Sequence, residues 1–170
     1  MSQIINNNSG GSGTIQNAGF VSYLSTNTIN TAGDGIYRNL ICDVDTHDIN
    51  GNYDTSTGLF HIPYTGSYVF TVQYAIYNSN SISQTLYDLS VNLYTSSTTY
   101  TLNGGVQSVM NPLNTGSVTG CIYLYLNSGD YVGVSANAYV EGNSGLHLGV
   151  KGYDSGTNTY YTTFSGKYLY

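Results

Sequence analysis

Tryptophan is missing from this chain, proline, methionine and cysteine occur only twice each, and charged side chains make up just 7% of it, against about 25% in ordinary soluble domains. Each shortage excludes something. Arg38, Lys151 and Lys167 are the only basic residues, too few to neutralise a run of phosphates or to grip an anionic bilayer, so neither nucleic acid nor membrane insertion is expected. Glu141 is the only glutamate, and a carboxylate pair for glycoside hydrolysis would need opposed placement; no Gly-x-Ser-x-Gly nucleophile motif occurs. Gly10-Gly11 and Gly104-Gly105 are not followed by Lys-Ser/Thr, so no phosphate loop is formed. His47, His61 and His147 stand far apart with no cysteine pair nearby, unlike the ligand spacing of a zinc site. The expectation is a protein without catalysis.

Regular hydrophobic patterns of two kinds are also lacking. No window of a dozen residues carries an apolar stripe at helical spacing, and no run reaches the length of a membrane span. The first residues show no basic segment followed by an apolar one, so no signal peptide is visible and export by another route, or a place in a longer protein, is expected. Cys42 and Cys121 could pair or remain free thiols; buried free cysteine is common.

What is abundant is glycine (21), tyrosine (19), serine, threonine and asparagine, the composition of turns and strands. Residues 1–17, with a Gly/Ser patch and no periodicity, are read as a flexible lead-in or stalk end, and 18–170 as one domain. Tyr53–Tyr77 organises the rest. Turn formers at 54–58 precede a short apolar run at Leu59–Ile62; Pro63 and Thr65-Gly66 supply a second turn. From Ser67 the pattern has period two, with Tyr68, Phe70, Val72, Tyr74 and Ile76 on one face, the mark of a half-buried antiparallel strand. Further strands are expected at Phe20–Leu24, Ile36–Cys42, Leu86–Tyr94, Thr98–Leu102, Ser117–Leu126, Tyr131–Ala138, Gly145–Lys151 and Tyr161–Leu169, with a loop over Gly104–Gly116. About ten short strands between turn signals indicate an all-β sandwich. Ser67–Tyr77, Ser117–Leu126 and Tyr161–Leu169 carry large apolar or aromatic groups on both faces. A lone sandwich needs only one such face, so a subunit interface is expected on the other.

The spacing of Tyr53-Asp54, Gly58, Phe60, Pro63, Gly66, Tyr68 and Phe70 resembles the signature of the C1q globular head, a relative of the tumour necrosis factor fold. Gly120 through Gly129-Asp130 and Val132, and the ending Thr163-Phe164-Ser165-Gly166 with Tyr168-Leu169-Tyr170, are similar to later strands of that family. The resemblance runs from about Phe20 to Tyr170. It implies a jelly-roll β-sandwich forming a compact homotrimer, with Phe60, Gly66, Tyr68, Phe70, Phe164, Gly166 and Tyr168 as the core and trimer signature. Family members hold calcium near the trimer apex through acidic residues in the loop before Gly120. Here Asn103–Thr119 contains no Asp or Glu, so that site is not carried over and no cofactor is expected. The collagen-like stem common upstream in the family has no Gly-X-Y repeat here.

Two polar regions remain as candidate sites. In Asp43–Asp54, an extended chain would point Asp43, Asp45 and His47 one way, with Asp48 beginning a second series. Such oxygen ligands can take a cation, but the glycine and terminal glutamate of a calcium loop are absent, and a solvated loop of turn-forming residues explains the composition. Tyr153, Tyr160 and Tyr161 lie in or beside a Gly/Ser/Thr/Asn loop at 152–163, where aromatics can be exposed for recognition. Core, cross-strand and interface roles account for the other tyrosines. The function expected is a non-enzymatic trimeric head, extracellular or on a virion or other particle surface, contacting a surface protein or glycan. The alternative is a structural trimerisation or fibre-tip module with no soluble ligand.

Overall fold

The computed structural model describes residues 16–29, 31–79, 83–104, 108–112, 114–140 and 148–170; most of the lead-in at 1–17, with Glu141 and His147, lies outside them. Strand follows strand: β1 (Gly19–Tyr23), β2 (Arg38–Asn39), β3 (Val44–Ile49), β4 (Tyr53–Asp54), β5 (Leu59–His61), β6 (Gly66–Asn78), β7 (Gln84–Thr95) and β8 (Thr99–Asn103). Then come β9 (Ser108–Met110), β10 (Thr115–Leu126), β11 (Tyr131–Val140), β12 (Leu148–Val150), β13 (Tyr153–Asp154), β14 (Thr159–Tyr160) and β15 (Thr163–Tyr168). No helix occurs among the described residues.

Two antiparallel sheets carry the fold. The first runs β10-β6-β15-β1-β3, with β12 lying end to end with β15 along the same edge of β6. The second runs β4-β5-β11-β7-β8, with β2 paired to β11 and β9 to β7. Non-sequential neighbours such as β6 and β15 make this a jelly roll, and one apolar core joins the two sheets. The period-two pattern of β6 is realised in full: Tyr68, Phe70, Val72, Tyr74 and Ile76 are all buried. Leu89, Val91 and Leu93 of β7 and Val132, Val134, Ala136 and Ala138 of β11 meet them from the opposite sheet.

The signature residues form the aromatic end of this core. Phe20 stacks on Tyr53 and on Phe60 with centroids 4.6 Å apart in each case, and meets Phe164 edge-on at 4.7 Å. Phe70 packs on Tyr68 at 6.0 Å and on Phe164 at 6.2 Å. Offset and edge contacts of this kind add to the area each ring buries. Gly166 leaves room for them, since a Cβ there would lie 2.5 Å from Phe70 and 2.7 Å from Phe20. Tyr68 donates its hydroxyl to the Tyr64 carbonyl at 2.7 Å, and burial pushes its phenol up to about 12.

Four expectations change. The apolar stretch Ile36–Cys42 is a strand only at Arg38–Asn39; Leu40 adds one bond to the Val134 carbonyl at 2.8 Å, and of its apolar side chains Leu40 and Cys42 are buried while Ile36 and Ile41 are exposed. The Asp-rich segment contains a strand, β3, whose polar side chains suit its place at the border of the first sheet, with one side unpaired. The loop at 152–163 contains the hairpin β13–β14, and the loop at 104–116 contains β9 and the start of β10.

Candidate functional site

The three strands with large groups on both faces prove to be neighbours, since β6 lies between β10 and β15. Their second faces therefore merge into one surface, the outward side of the first sheet. Tyr123, Val69, Lys167, Gly19 and Ile49 form one cross-strand row; Cys121, Thr71, Ser165, Val21 and His47 form the next. A shallow depression of about 470 Å³ lies along these rows between Val21, His47, Val69 and Lys167. One end of the face is aromatic and open: Tyr123 is 52% exposed, Tyr125 70% and Tyr170 72%, with the Tyr123 and Tyr170 hydroxyls bonded at 2.6 Å. The middle is hydroxylated, through Thr71, Thr119 and Ser165. Cys121 is free and exposed there. Cys42 is also free but sits in the core, where burial pushes its thiol up to about 12 and leaves it inert.

At the other end of the same sheet stand the loop tyrosines. Tyr153 and Tyr160 oppose each other across the β13–β14 hairpin and stack at 4.9 Å. Both pack on Tyr23, at 5.7 and 4.7 Å. The hairpin is held by the turn that its sequence dictates: the Asp154 carboxylate accepts from Gly156 N–H at 2.9 Å, and Tyr153 donates its hydroxyl to Asn158 at 3.0 Å. It is tied to the end of β1 by Tyr153 N–H donating to the Leu24 carbonyl at 2.8 Å. Tyr160 keeps 43% of its surface exposed. Tyr161 is separate from that stack and lies under the Lys151 ammonium, 4.0 Å from its ring centroid, a cation–π contact. Tyr23 and Lys151 thus belong to this cluster and were not singled out from the sequence. Their signals were present: Tyr23 is out of phase with inward-facing Phe20, and Lys151 is one of three basic residues in the chain.

The acidic segment is not assembled around a point. Asp43 accepts from Ser25 N–H and Ser25 hydroxyl, both at 2.6 Å. Asp48 turns the other way and accepts from Asn52 N–H at 3.1 Å and Tyr53 N–H at 2.9 Å. Asp45 and His47 are exposed on β3, and a bulge where β1 passes from Val21 to Ser22 breaks the simple alternation between them. Among the described residues no group of three His, Cys, Asp or Glu side chains is placed to hold a metal ion. Of the four carboxylate or imidazole candidates, Asp48 caps the turn at Asn50-Gly51 and Asp43 ties its segment to Ser25 beyond the end of β1.

With this geometry in view, the comparisons add a family. The model of the C1q domain matches residues 38–169. Among solved structures, the globular domain of a zebrafish complement 1qA protein is 15% identical, with 91% of this chain and 98% of that chain covered and a TM-score of 0.54. Murine APRIL is 12% identical over 91% of this chain and 100% of its own, at a TM-score of 0.53. An Eiger TNF from S. frugiperda is 15% identical over 91% and 92%, at 0.51. No curated protein sequence matches. At these identities the structures speak to the fold alone, and they agree with the two-sheet arrangement above.

Proposed function

The chain belongs to the C1q family, and from that premise we propose that it is a non-enzymatic recognition head, homotrimeric and displayed outside the cell or on a particle surface. The family is one of trimeric binding modules, generally extracellular and generally without catalysis. No helix of the described residues is long and apolar enough to cross a membrane. The observation that carries the assignment is the outward side of the first sheet. Its open aromatic end and central valines offer apolar area to water that a second and third copy would cover, while its hydroxyl-rich middle can be satisfied across an interface. In this reading the loop tyrosines Tyr153, Tyr160 and Tyr161 lie at one end of the assembled sheets, as a platform for a sugar ring or a protein surface. No cofactor is required: Asp45 and His47 serve as edge-strand residues, Asp48 caps a turn and Asp43 ties two segments together through Ser25.

A second reading has its own support. Tyr153 and Tyr160 spend ring faces on each other, which favours a rigid structural tip, a trimerisation or fibre-end module with no soluble ligand. One experiment separates the two. The purified chain is weighed by mass photometry and then offered to a glycan array and to cell surfaces, beside the Tyr160→Ala variant. A trimer whose binding is lost in Tyr160→Ala supports recognition. A trimer that binds nothing supports assembly, and a monomer at micromolar concentration overturns both.

A further inference from the structure

Tyr123 and Tyr170 meet at the open aromatic end of the first sheet. Their hydroxyl oxygens are 2.6 Å apart although 47 residues separate them along the chain, and both rings are exposed. The backbone sets up this meeting. Leu169 N–H donates to the Ser67 carbonyl and Ser67 N–H donates to the Tyr170 carbonyl, both at 2.8 Å, so the residues after β15 stay beside the start of β6. Gly66 permits the close pass, since a Cβ there would lie 2.5 Å from the Tyr170 carbonyl oxygen. Tyr123 approaches from the other side of β6, on β10, where it pairs with Val69. The two phenols thus reach each other across β6.

Other tyrosines use their hydroxyls differently. Tyr53, Tyr68 and Tyr77 donate to backbone carbonyls, and Tyr153 donates to the Asn158 amide oxygen. Hydrogen bonds from Ser67 and then Tyr170 hold the Tyr123 phenol below its usual value, which eases departure of the proton that leaves with the electron when a phenol is oxidised. Contact between the two oxygens also brings the ring carbons ortho to them close together. Exposed side chains turn on the picosecond to nanosecond scale, so those carbons can meet without movement of the backbone. No disulfide ties these strands, since Cys42 and Cys121 are both free.

We propose that Tyr123 and Tyr170 are a site of oxidative cross-linking, joined ring to ring by hydrogen peroxide acting through a haem peroxidase. Each phenol gives up one electron and one proton and becomes a phenoxyl radical. The two radicals form a bond between their ortho carbons. Each of those carbons then releases its hydrogen as a proton while each oxygen regains one, which restores both phenols. The pair has lost two hydrogen atoms, and one peroxide has become two waters. The link lies within one chain, needs neither the loop tyrosines nor a partner copy, and fastens the residues after β15 to β10. Like a disulfide closing a loop, it restricts the unfolded chain.

The purified full chain is treated with hydrogen peroxide and a haem peroxidase, beside Tyr123→Phe, Tyr170→Phe and Thr71→Arg. The last keeps the outward face open to the enzyme if copies close over it in the native protein. Under denaturing, reducing conditions the expected product has the mass of one chain less two hydrogens and gains the blue fluorescence of joined phenols. Trypsin cuts after Lys167, yet Tyr168-Leu169-Tyr170 should stay attached to the fragment that holds Tyr123. The linked chain should also unfold at a higher urea midpoint. Both phenylalanine variants should keep the native circular dichroism spectrum and lose the attachment. The proposal is overturned if neither the native chain nor Thr71→Arg carries the attachment, or if it persists in Tyr123→Phe or Tyr170→Phe, which would assign it to other rings such as Tyr168.

Discussion

Asp34 and Arg38 illustrate what a single residue can hold in a chain so poor in charge. The carboxylate receives both guanidinium bonds and the Ile36 N–H at 3.1 Å. The Arg38 bonds are the chief cause that lowers its carboxyl from the usual 3.8 to about 2, against the opposing effect of burial. A carboxyl depressed in the folded state stabilises it fully above the unfolded value and loses that contribution as pH falls through the folded one. Urea midpoints should therefore drop between about pH 4 and pH 2 more steeply for the native chain than for Asp34→Asn. Equal slopes would show that this pair does not contribute to acid stability. Gly166 is the contrasting case, where the requirement is space. Its missing Cβ admits Phe70 and Phe20, so Gly166→Ala should cost about 1–3 kcal/mol by overpacking, read as a lower urea midpoint at unchanged slope. Neither role was visible in the sequence alone. Gly33-Asp34-Gly35 reads as a turn, and the ring contacts at Gly166 join residues far apart along the chain.

Elements show the same sequence logic used twice with different ends. Tyr53-Asp54, four turn residues and Leu59-Phe60 build one hairpin; Tyr153-Asp154, four turn residues and Thr159-Tyr160 build another. In each, the aspartate accepts from the N–H two residues on, Ser56 at 2.8 Å and Gly156 at 2.9 Å. The first hairpin puts its tyrosine into the core against Phe20, and the second leaves its tyrosines half open against Tyr23. Local chemistry sets the turn, and the side of β1 it meets sets the fate of the ring. The strands β10, β6 and β15 carry the element-scale prediction. Thr71 is exposed at the middle of their outward face. Thr71→Arg would place one cation per copy into a buried, unpaired position in a trimer, while an isolated subunit would tolerate it to within about 0.5 kcal/mol. Mass photometry should report monomers for the variant with an unchanged circular dichroism spectrum. Trimers that persist would place the interface on another surface.

For the whole molecule, the alternation of β6, β7 and β11, the turns at Asp54–Gly58 and Asn127–Asp130, and the shortage of helical or charged patterns were enough to establish an all-β sandwich. The three C1q-like segments were enough to make it a jelly roll. These properties are legible because they depend on neighbours in the chain: period two needs only consecutive residues, and a turn needs about four. The tertiary structure decided what pairing across long separations controls. It made neighbours of the three strands with two large faces, turned part of the acidic segment into an edge strand, sent Asp43 to the distant Ser25 and Asp48 to a local turn, and gathered Tyr23 and Lys151 around the loop tyrosines. It alone formed the cleft lined by Leu24, Leu40, Tyr74 and Ala136, because a concavity is bounded by side chains from several strands and has no signature in any one of them.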